Sequence, residues 1–432
     1  MTDISARKYM LGNARTNLVR VGVSTLATLV ITPFIIRHIG LEKYSYVALT
    51  SFFISFSGFF DLGLSKSLVY LLNDPEVSQP QRNQYLTAQG IIIGAILLLI
   101  VTIGLFALLT GTSVLGKSLP ATDPHFMIVT FSSFLVLMLT VFDQFLCSIL
   151  ESFFLLHHVN QGVTVKVMTL NALYLLNLFT WNSVSLYVFS SVLAILAATS
   201  YYGYVLHRHV HWQFCRPSGM TMKTMLLQSF HFFRFSMLNS LYSVLPRLSV
   251  MYISSDLSYI GILDVIEKLS MSVINLCSSI LRPLFSLSRQ APQKIARQLM
   301  KVMALNGGLG LAFVGVIIVF NRFITGYFFS RTDVDLAFIG RILILYAFGS
   351  FFLLLGQPLS FYLQGEGKTN RLSMVFGVNI VIFLLLYVGM KEWLQMNALQ
   401  NLSVCYLLVS AVYLVNLYRL ARTTRHSRLL AY

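Results

Sequence analysis

Ten ionisable side chains lie inside long apolar runs of this 432-residue sequence: the bases Arg20, Lys66, Arg234, Arg247, Lys268 and Arg341, and the acids Asp61, Asp143, Asp264 and Glu267. A charge at the centre of a bilayer costs about 2.5–3.5 kcal/mol on insertion scales, so it is paired, faces water or serves a function. Two chemistries follow. The bases outnumber the acids by two, which suits an anionic ligand, and the guanidinium fork matches a phosphate. The acids are candidates for a proton or sodium ion. Arg341 stands near the outer end of its run and can snorkel to the surface. Arg234, Asp143 and Lys66 stand toward inner ends, and Asp264, Glu267 and Lys268 form the deepest cluster, on one helix face.

Depth suggests partners. Arg20 and Asp61 lie at nearly equal distances either side of a turn near Gly40, and Arg247 and Asp264 either side of a turn near Asp256. Both pairs are read either as buried salt bridges or as parts of a site. Asn13, Asn17, Arg20, Ser24, Thr28 and Thr32 recur every three or four residues, one face of a helix. Such a face turns away from lipid, toward a cavity or a packed helix.

These residues need membrane-spanning elements to position them. The chain is 56% hydrophobic and 11% charged, with a mean hydropathy of +0.74. A soluble domain carries roughly 25% charged residues, so lipid must be the solvent here. In lipid only helices or closed barrels satisfy the backbone, and long continuous runs such as 91–110 favour helices. A window of about 20 apolar residues predicts twelve spans, at 16–36, 45–72, 85–110, 126–149, 163–181, 184–205, 228–253, 258–281, 301–320, 336–361, 373–390 and 398–418. With the N-terminus cytoplasmic, nineteen Lys and Arg fall on that side and six on the other. The positive-inside rule then places both termini in the cytoplasm. The same bias accounts for the net charge of +16 without nucleic acid. Trp181, Trp212 and Trp393 stand at or beyond span ends, where interfacial aromatics gather. The basic tail from Arg419 to Arg428 serves as a topology signal or rests on anionic headgroups.

Pro33 and Tyr46 are thirteen residues apart, as are Pro246 and Tyr259, and the two pairs are offset by 213 residues. Six spans separate the copies, so the halves would run parallel. The expected fold is an all-α membrane protein, twelve helices in two parallel six-helix lobes around a central cavity. That is a transporter arrangement. The lobes are expected at 1–210 and 226–432, joined by a cytoplasmic linker at 211–225.

Other motifs are weak. Cys147, Cys215, Cys277 and Cys405 are scattered and read as ordinary apolar residues. His207, His209 and His211 alternate without a Cys or carboxylate to complete a metal set. The stretch 365–370, GEGKTN, echoes a phosphate loop, but Tyr362 stands where its first glycine is required. It reads as a tight turn. Neither HExxH nor GxSxG occurs, so no enzyme, metal or cofactor is expected.

The segment Thr32–Leu72, with RHIGLEKYSYVAL and FDLGLSKSLVYLL, resembles the O-antigen flippases of the polysaccharide transporter family, within the multidrug/oligosaccharidyl-lipid/polysaccharide exporter superfamily. The family usually has Gly and often Trp after the Tyr at 44, where Ser45 and Tyr46 stand here. The resemblance implies translocation of undecaprenyl-diphosphate-linked oligosaccharide from the cytoplasmic to the periplasmic leaflet of the bacterial inner membrane. It also implies partnership with an O-antigen polymerase and a chain-length regulator. The candidates to hold diphosphate and sugars are Arg20, Lys66, Arg234, Arg247 and Lys268, and those to couple an ion are Asp61, Asp143, Asp264 and Glu267. Arg247 is expected to satisfy one of the two acids of its neighbouring helix, leaving Lys268 for the diphosphate. Rival readings are another exporter of the superfamily, for drugs or a cell-wall precursor, and a membrane-embedded polymerase. The positive surplus disfavours cationic drugs. Polymerases typically carry a large periplasmic loop, and the longest outward loops here, 111–125 and 321–335, have about fifteen residues.

Overall fold

The computed structural model describes the backbone of all residues except 1–2, 73–76, 112–121, 211, 255, 291, 331, 333, 366–367, 395–396 and 430–432. Side chains are described for these residues except at 3–15, 18, 28, 231, 252–253, 275–290, 292–298, 393–394 and 423–429. The helices in chain order are α1 Asp3–Ile39, α2 Leu41–Phe60, α3 Leu64–Leu72, α4 Gln79–Thr110, α5 Phe126–Ser152, α6 Leu156–Phe179 and α7 Val184–His209. They continue with α8 Gly219–Ile253, α9 Ser258–Gln290, α10 Pro292–Val319, α11 Asn321–Phe329, α12 Leu336–Gly365, α13 Thr369–Leu394 and α14 Ala398–Leu429.

Among the described residues nine helices are long and apolar enough to cross a bilayer, and α2 with α3 makes a tenth crossing bent by 50°. The chain is therefore an all-α, multi-pass membrane protein. Helices α8 and α9, with 35 and 33 residues, are long enough for the two further crossings expected, and each runs partly over residues whose side chains lie outside those described.

Two further expectations change. The run 45–72 is not one straight helix: α2 stops at Phe60, and Leu62 (φ 49°) and Gly63 (φ 74°) turn the chain before α3. The outward stretch 321–335 is not all loop, because α11 occupies its first nine residues.

The chain forms two compact units. The first comprises residues 1–27, 42–244 and 255–257, and the second 28–41, 245–254 and 258–432. In the first, α7 packs on α5 and α6, and α5 also packs on α3 and α4. Val136, Leu139, Val192 and Ile195 form the core between α5 and α7. In the second, α12 packs against α9, α10 and α14, with Ile274 and Leu354 buried together.

Lipid tails are as apolar as leucine, so close packing and interhelical hydrogen bonds hold such helices together. Small residues meet where α3 approaches α8. Ser67 of α3 and Ser229 of α8 share a hydrogen bond of 2.8 Å. A Cβ on Gly63 would come within 2.7 Å of the Phe233 amide and the Ser229 carbonyl, so only glycine fits that approach. The polar face of α1 is partly buried, with Asn17 and Thr32 inside and Val19, Leu26, Val30 and Phe34 exposed.

Candidate functional site

The second unit contains a buried ionic network. Asp264, Glu267 and Lys268 lie at i, i+3 and i+4 on α9, so their side chains share one face. Arg247 follows Pro246 on α8. Its guanidinium spans both acids, with Nη2 3.1 Å from Asp264 Oδ1 and Nε 2.5 Å from Glu267 Oε2. Lys268 Nζ reaches the other oxygen of Asp264 at 2.7 Å. The Tyr346 hydroxyl of α12 donates to Glu267 Oε1 at 3.2 Å, and its ring stacks on Tyr406 with centroids 3.9 Å apart.

The depth argument thus found the Arg247–Asp264 pair. It gave Arg247 one acid, whereas the fork of donors takes two. Lys268 is also ion-paired, not left over. Two bases and two acids make the cluster neutral, so the positive surplus lies elsewhere.

In the first unit, Asp61 is buried at the break between α2 and α3. Its carboxylate accepts from the Ser65 amide at 3.1 Å and from the Ser65 hydroxyl, which caps the start of α3. Among the described residues the charge acting on it is Lys66, and no Arg20–Asp61 salt bridge forms. Counting residues from a turn fixes depth but not the side of the helix on which a residue stands.

Lys66 Nζ sits 4.2 Å from the ring centre of Phe235 on α8. Arg234, the preceding residue of α8, has its Cζ 5.3 Å from the ring centre of Phe230, one turn away. Both cations are exposed, and neither makes an ion pair among the described residues. The Ser67–Ser229 bond and the Tyr70–Phe232 ring contact, at 6.1 Å, bring α3 and α8 together around them. An aromatic face holds a cation without neutralising it, so both charges remain available to an anion.

A second charged region involves α1, α5, α6 and α7. Asp143 on α5 is 8% exposed, and its Oδ1 has no hydrogen-bond partner among the described residues. Lys166 on α6 acts on it electrostatically. Arg20 and Asp143 both act on the Tyr202 hydroxyl, which donates to the Val159 carbonyl at 3.0 Å. Glu151, near the end of α5, acts on Lys66. Sequence reasoning missed Glu151 and counted Lys166 only among the cytoplasmic-side charges, although it falls within the predicted span 163–181. Both stand within three residues of a predicted span boundary, and the helices extend past those boundaries.

The remaining candidates are dispersed. Arg341 is exposed on α12. His207 and His209 lie on the last turn of α7, and His211 is outside the described residues. The His209 ring lies 5.5 Å from that of His158 on α6, a neighbour the spacing gave no sign of. Gly365 closes α12 and Thr369 opens α13, so GEGKTN spans a helix–helix connection. Cys147, Cys215 and Cys405 are free thiols, and the Cys277 side chain lies outside the described residues. Tyr46, standing in the departure from the family text, donates to Asp123 Oδ2 at 2.8 Å.

A family model described as "Polysaccharide biosynthesis protein" matches residues 11–288, more than half of the chain. A search of curated proteins gave no match. Solved structures with a similar fold include an inward-facing multidrug resistance MATE family transporter of the MOP superfamily, at 13% identity and a TM-score of 0.70, covering 96% of this chain and 98% of that one. The lipid II flippase MurJ, in an inward closed conformation, matches at 13% identity and a TM-score of 0.73, with 92% of this chain and 86% of that one covered. A MOP superfamily transporter from Pyrococcus furiosus, described as having a binding pocket of reversed polarity, matches at 14% identity and a TM-score of 0.69, with 97% and 96% covered. At such identities what is shared is the fold. With the family match spanning α1 through most of α9, the chain belongs to the polysaccharide biosynthesis protein family and is built on the fold of the MOP-superfamily transporters.

Proposed function

We propose that this protein is a flippase for undecaprenyl-diphosphate-linked O-antigen oligosaccharide, carrying it from the cytoplasmic to the periplasmic leaflet of the bacterial inner membrane by alternating access. In this reading both termini are cytoplasmic, α8 and α9 complete twelve spans, and the six-helix halves are residues 1–210 and 226–432. The single observation that carries the reading is the unequal distribution of compensated charge. Arg247 and Lys268 are matched by contact ion pairs with Asp264 and Glu267, whereas Lys66 and Arg234 lie against aromatic rings and make no contact ion pair among the described residues, with Asp61 and Glu151 acting on Lys66 from farther off. Two exposed cations without a contact ion pair, on α3 and α8, suit a diphosphate, and the rings beside them suit sugar faces. The oligosaccharide is too polar to cross hydrocarbon unaided, so a protein path is required.

Among the proteins of similar fold, one is a lipid II flippase and another a multidrug resistance transporter. The exposed cations favour the lipid-linked diphosphate over a cationic drug. In the proposed division of roles, Lys66 and Arg234 meet the diphosphate. Arg20 contributes from α1, and Asp143 is the ion-coupling residue, because it is a buried carboxylate with only Lys166 and Thr199 acting on it among the described residues. Arg247, Lys268, Asp264 and Glu267 hold α8 to α9, and Asp61 shapes the bend before α3.

A strain lacking the gene tests this directly. It should lose surface O-antigen and accumulate lipid-linked units in the cytoplasmic leaflet, and the intact gene should restore both. Normal surface O-antigen in that strain would reject the assignment.

A further inference from the structure

The connection between α7 and α8 has properties that the transport reading does not use. Residues 212–218 are non-helical, and the segment is tied down on one side only. The Trp212 indole N–H donates to the Thr87 hydroxyl of α4 at 3.3 Å, and the Cys215 amide donates to the same oxygen at 3.4 Å. The Thr221 hydroxyl donates to Gln84 Oε1 at 2.7 Å. On the first turns of α8, Met225 and Ser229 point inward and are buried.

The other side is open and mixed in character. Trp212 is 40% exposed, Phe214 79%, Met220 81% and Leu227 58%. Arg216 and Lys223 are interleaved with them and are also exposed. Met220, Lys223 and Leu227 follow one another at steps of three and four, so they share one face of α8. Exposed aromatic and aliphatic side chains are ordinary on a spanning helix, where lipid tails cover them. Here Trp212, Phe214 and Arg216 lie on the non-helical connection itself, and Met220, Lys223 and Leu227 continue its open side along the first turns of α8. A segment of that kind belongs at the headgroup level, where apolar side chains enter the acyl boundary and basic ones meet phosphate. Its position fixes the occupant, since it begins three residues after the end of α7, a helix that crosses the bilayer.

We infer that residues 212–227 form an interfacial strap that binds the anionic lipid surface. Trp212, Phe214, Met220 and Leu227 enter the boundary layer, and Arg216 and Lys223 take the headgroup phosphates. The Thr87 and Gln84 hydrogen bonds hold the strap so that this side faces the lipid.

The test uses the full chain with Trp181→Phe and Trp393→Phe, which leaves Trp212 as its sole tryptophan. The protein is reconstituted in bilayers of phosphatidylglycerol and phosphatidylcholine whose acyl chains are brominated near the headgroup end. Trp212 emission should fall at least about twofold relative to unbrominated lipid, and aqueous iodide should quench it weakly. The bromine effect should shrink in phosphatidylcholine alone, and Arg216→Gln with Lys223→Gln should bring it to that lower level in the anionic bilayer. Emission indifferent to bromine but open to iodide would overturn the inference and would mean that the face is kept for water or a protein partner. Equal bromine quenching in both lipid mixtures and in the double variant would overturn the claim on anionic headgroups.

Discussion

Replacing Arg247 with alanine should cripple folding, not merely transport. Among the described residues the guanidinium is the sole base touching Glu267, and it shares Asp264 with Lys268. Its side chain is 12% exposed, and those of Asp264 and Glu267 are 1% and 9% exposed. Without it, Asp264 keeps Lys268 at 2.7 Å, but among the described residues Glu267 keeps only the Tyr346 hydroxyl at 3.2 Å. Breaking a buried pair in this way costs about 3–5 kcal/mol. At about 1.4 kcal/mol per factor of ten, that is roughly two to three and a half powers of ten in the folding equilibrium. Folded proteins hold only about 5–15 kcal/mol in reserve, so the amount of folded protein should drop sharply. The assay is the yield of monodisperse, fluorescently tagged protein after mild detergent extraction, together with its melting temperature. The partner variant is specific. Arg247→Ala with Glu267→Gln removes the orphaned charge while an amide oxygen can still accept from Tyr346, and it should recover most of the yield. Arg247→Ala with Asp264→Ala should recover less, because it leaves Glu267 charged and without Arg247. Wild-type yield and melting for Arg247→Ala, or better rescue through Asp264 than through Glu267, would refute the reasoning.

Lys268→Ala should cost under about 1 kcal/mol in stability, since its side chain is one-third exposed and Asp264 retains Arg247; the same melting assay checks it. Lys66→Ala and Arg234→Ala should leave folded yield near normal while surface O-antigen falls, with Lys66→Arg and Arg234→Lys retaining more; immunoblotting of surface polysaccharide alongside membrane protein level separates the two. Gly63→Ala forces a left-handed residue to carry a Cβ against the α8 backbone and should cost at least about 1–2 kcal/mol, read as a lowered melting temperature. Single cysteines at Thr122 and Gln213 of a cysteine-free variant should label from opposite sides: an impermeant thiol reagent should reach the first in intact spheroplasts and the second only after lysis.

The helical membrane fold was legible because a chain with 11% charged residues has few ways to be soluble, and its apolar runs are long enough to count. The bend before α3 left a trace in Asp61-Leu62-Gly63, turn-forming residues in the middle of an apolar run, but hydropathy windows average across it. Residue spacing located Arg247 and Asp264 at one depth, because a short turn joins α8 and α9 and leaves little freedom. The same argument failed for Arg20 and Asp61, where about twenty residues on each side of Gly40 let small errors in rise and rotation accumulate. Glu267 as the second partner of Arg247, and Tyr346 beneath it, depend on how α8, α9 and α12 turn about their axes. No local pattern encodes that. Charges at span ends, Glu151 and Lys166, were discounted because a helix goes on satisfying its backbone after its sequence has turned polar.

The central claim is most directly tested by flux. The purified protein is reconstituted into liposomes carrying undecaprenyl-diphosphate-linked oligosaccharide, and an impermeant glycosidase outside reports how much substrate becomes exposed. Cleavage should run beyond the outer-leaflet pool at a rate that rises with protein copies per vesicle, and Lys66→Ala with Arg234→Ala should slow it at least about tenfold, a change of about 1.4 kcal/mol. Cleavage that stops at the outer-leaflet pool with folded wild-type protein present, under proton and sodium gradients of either direction, would contradict the account.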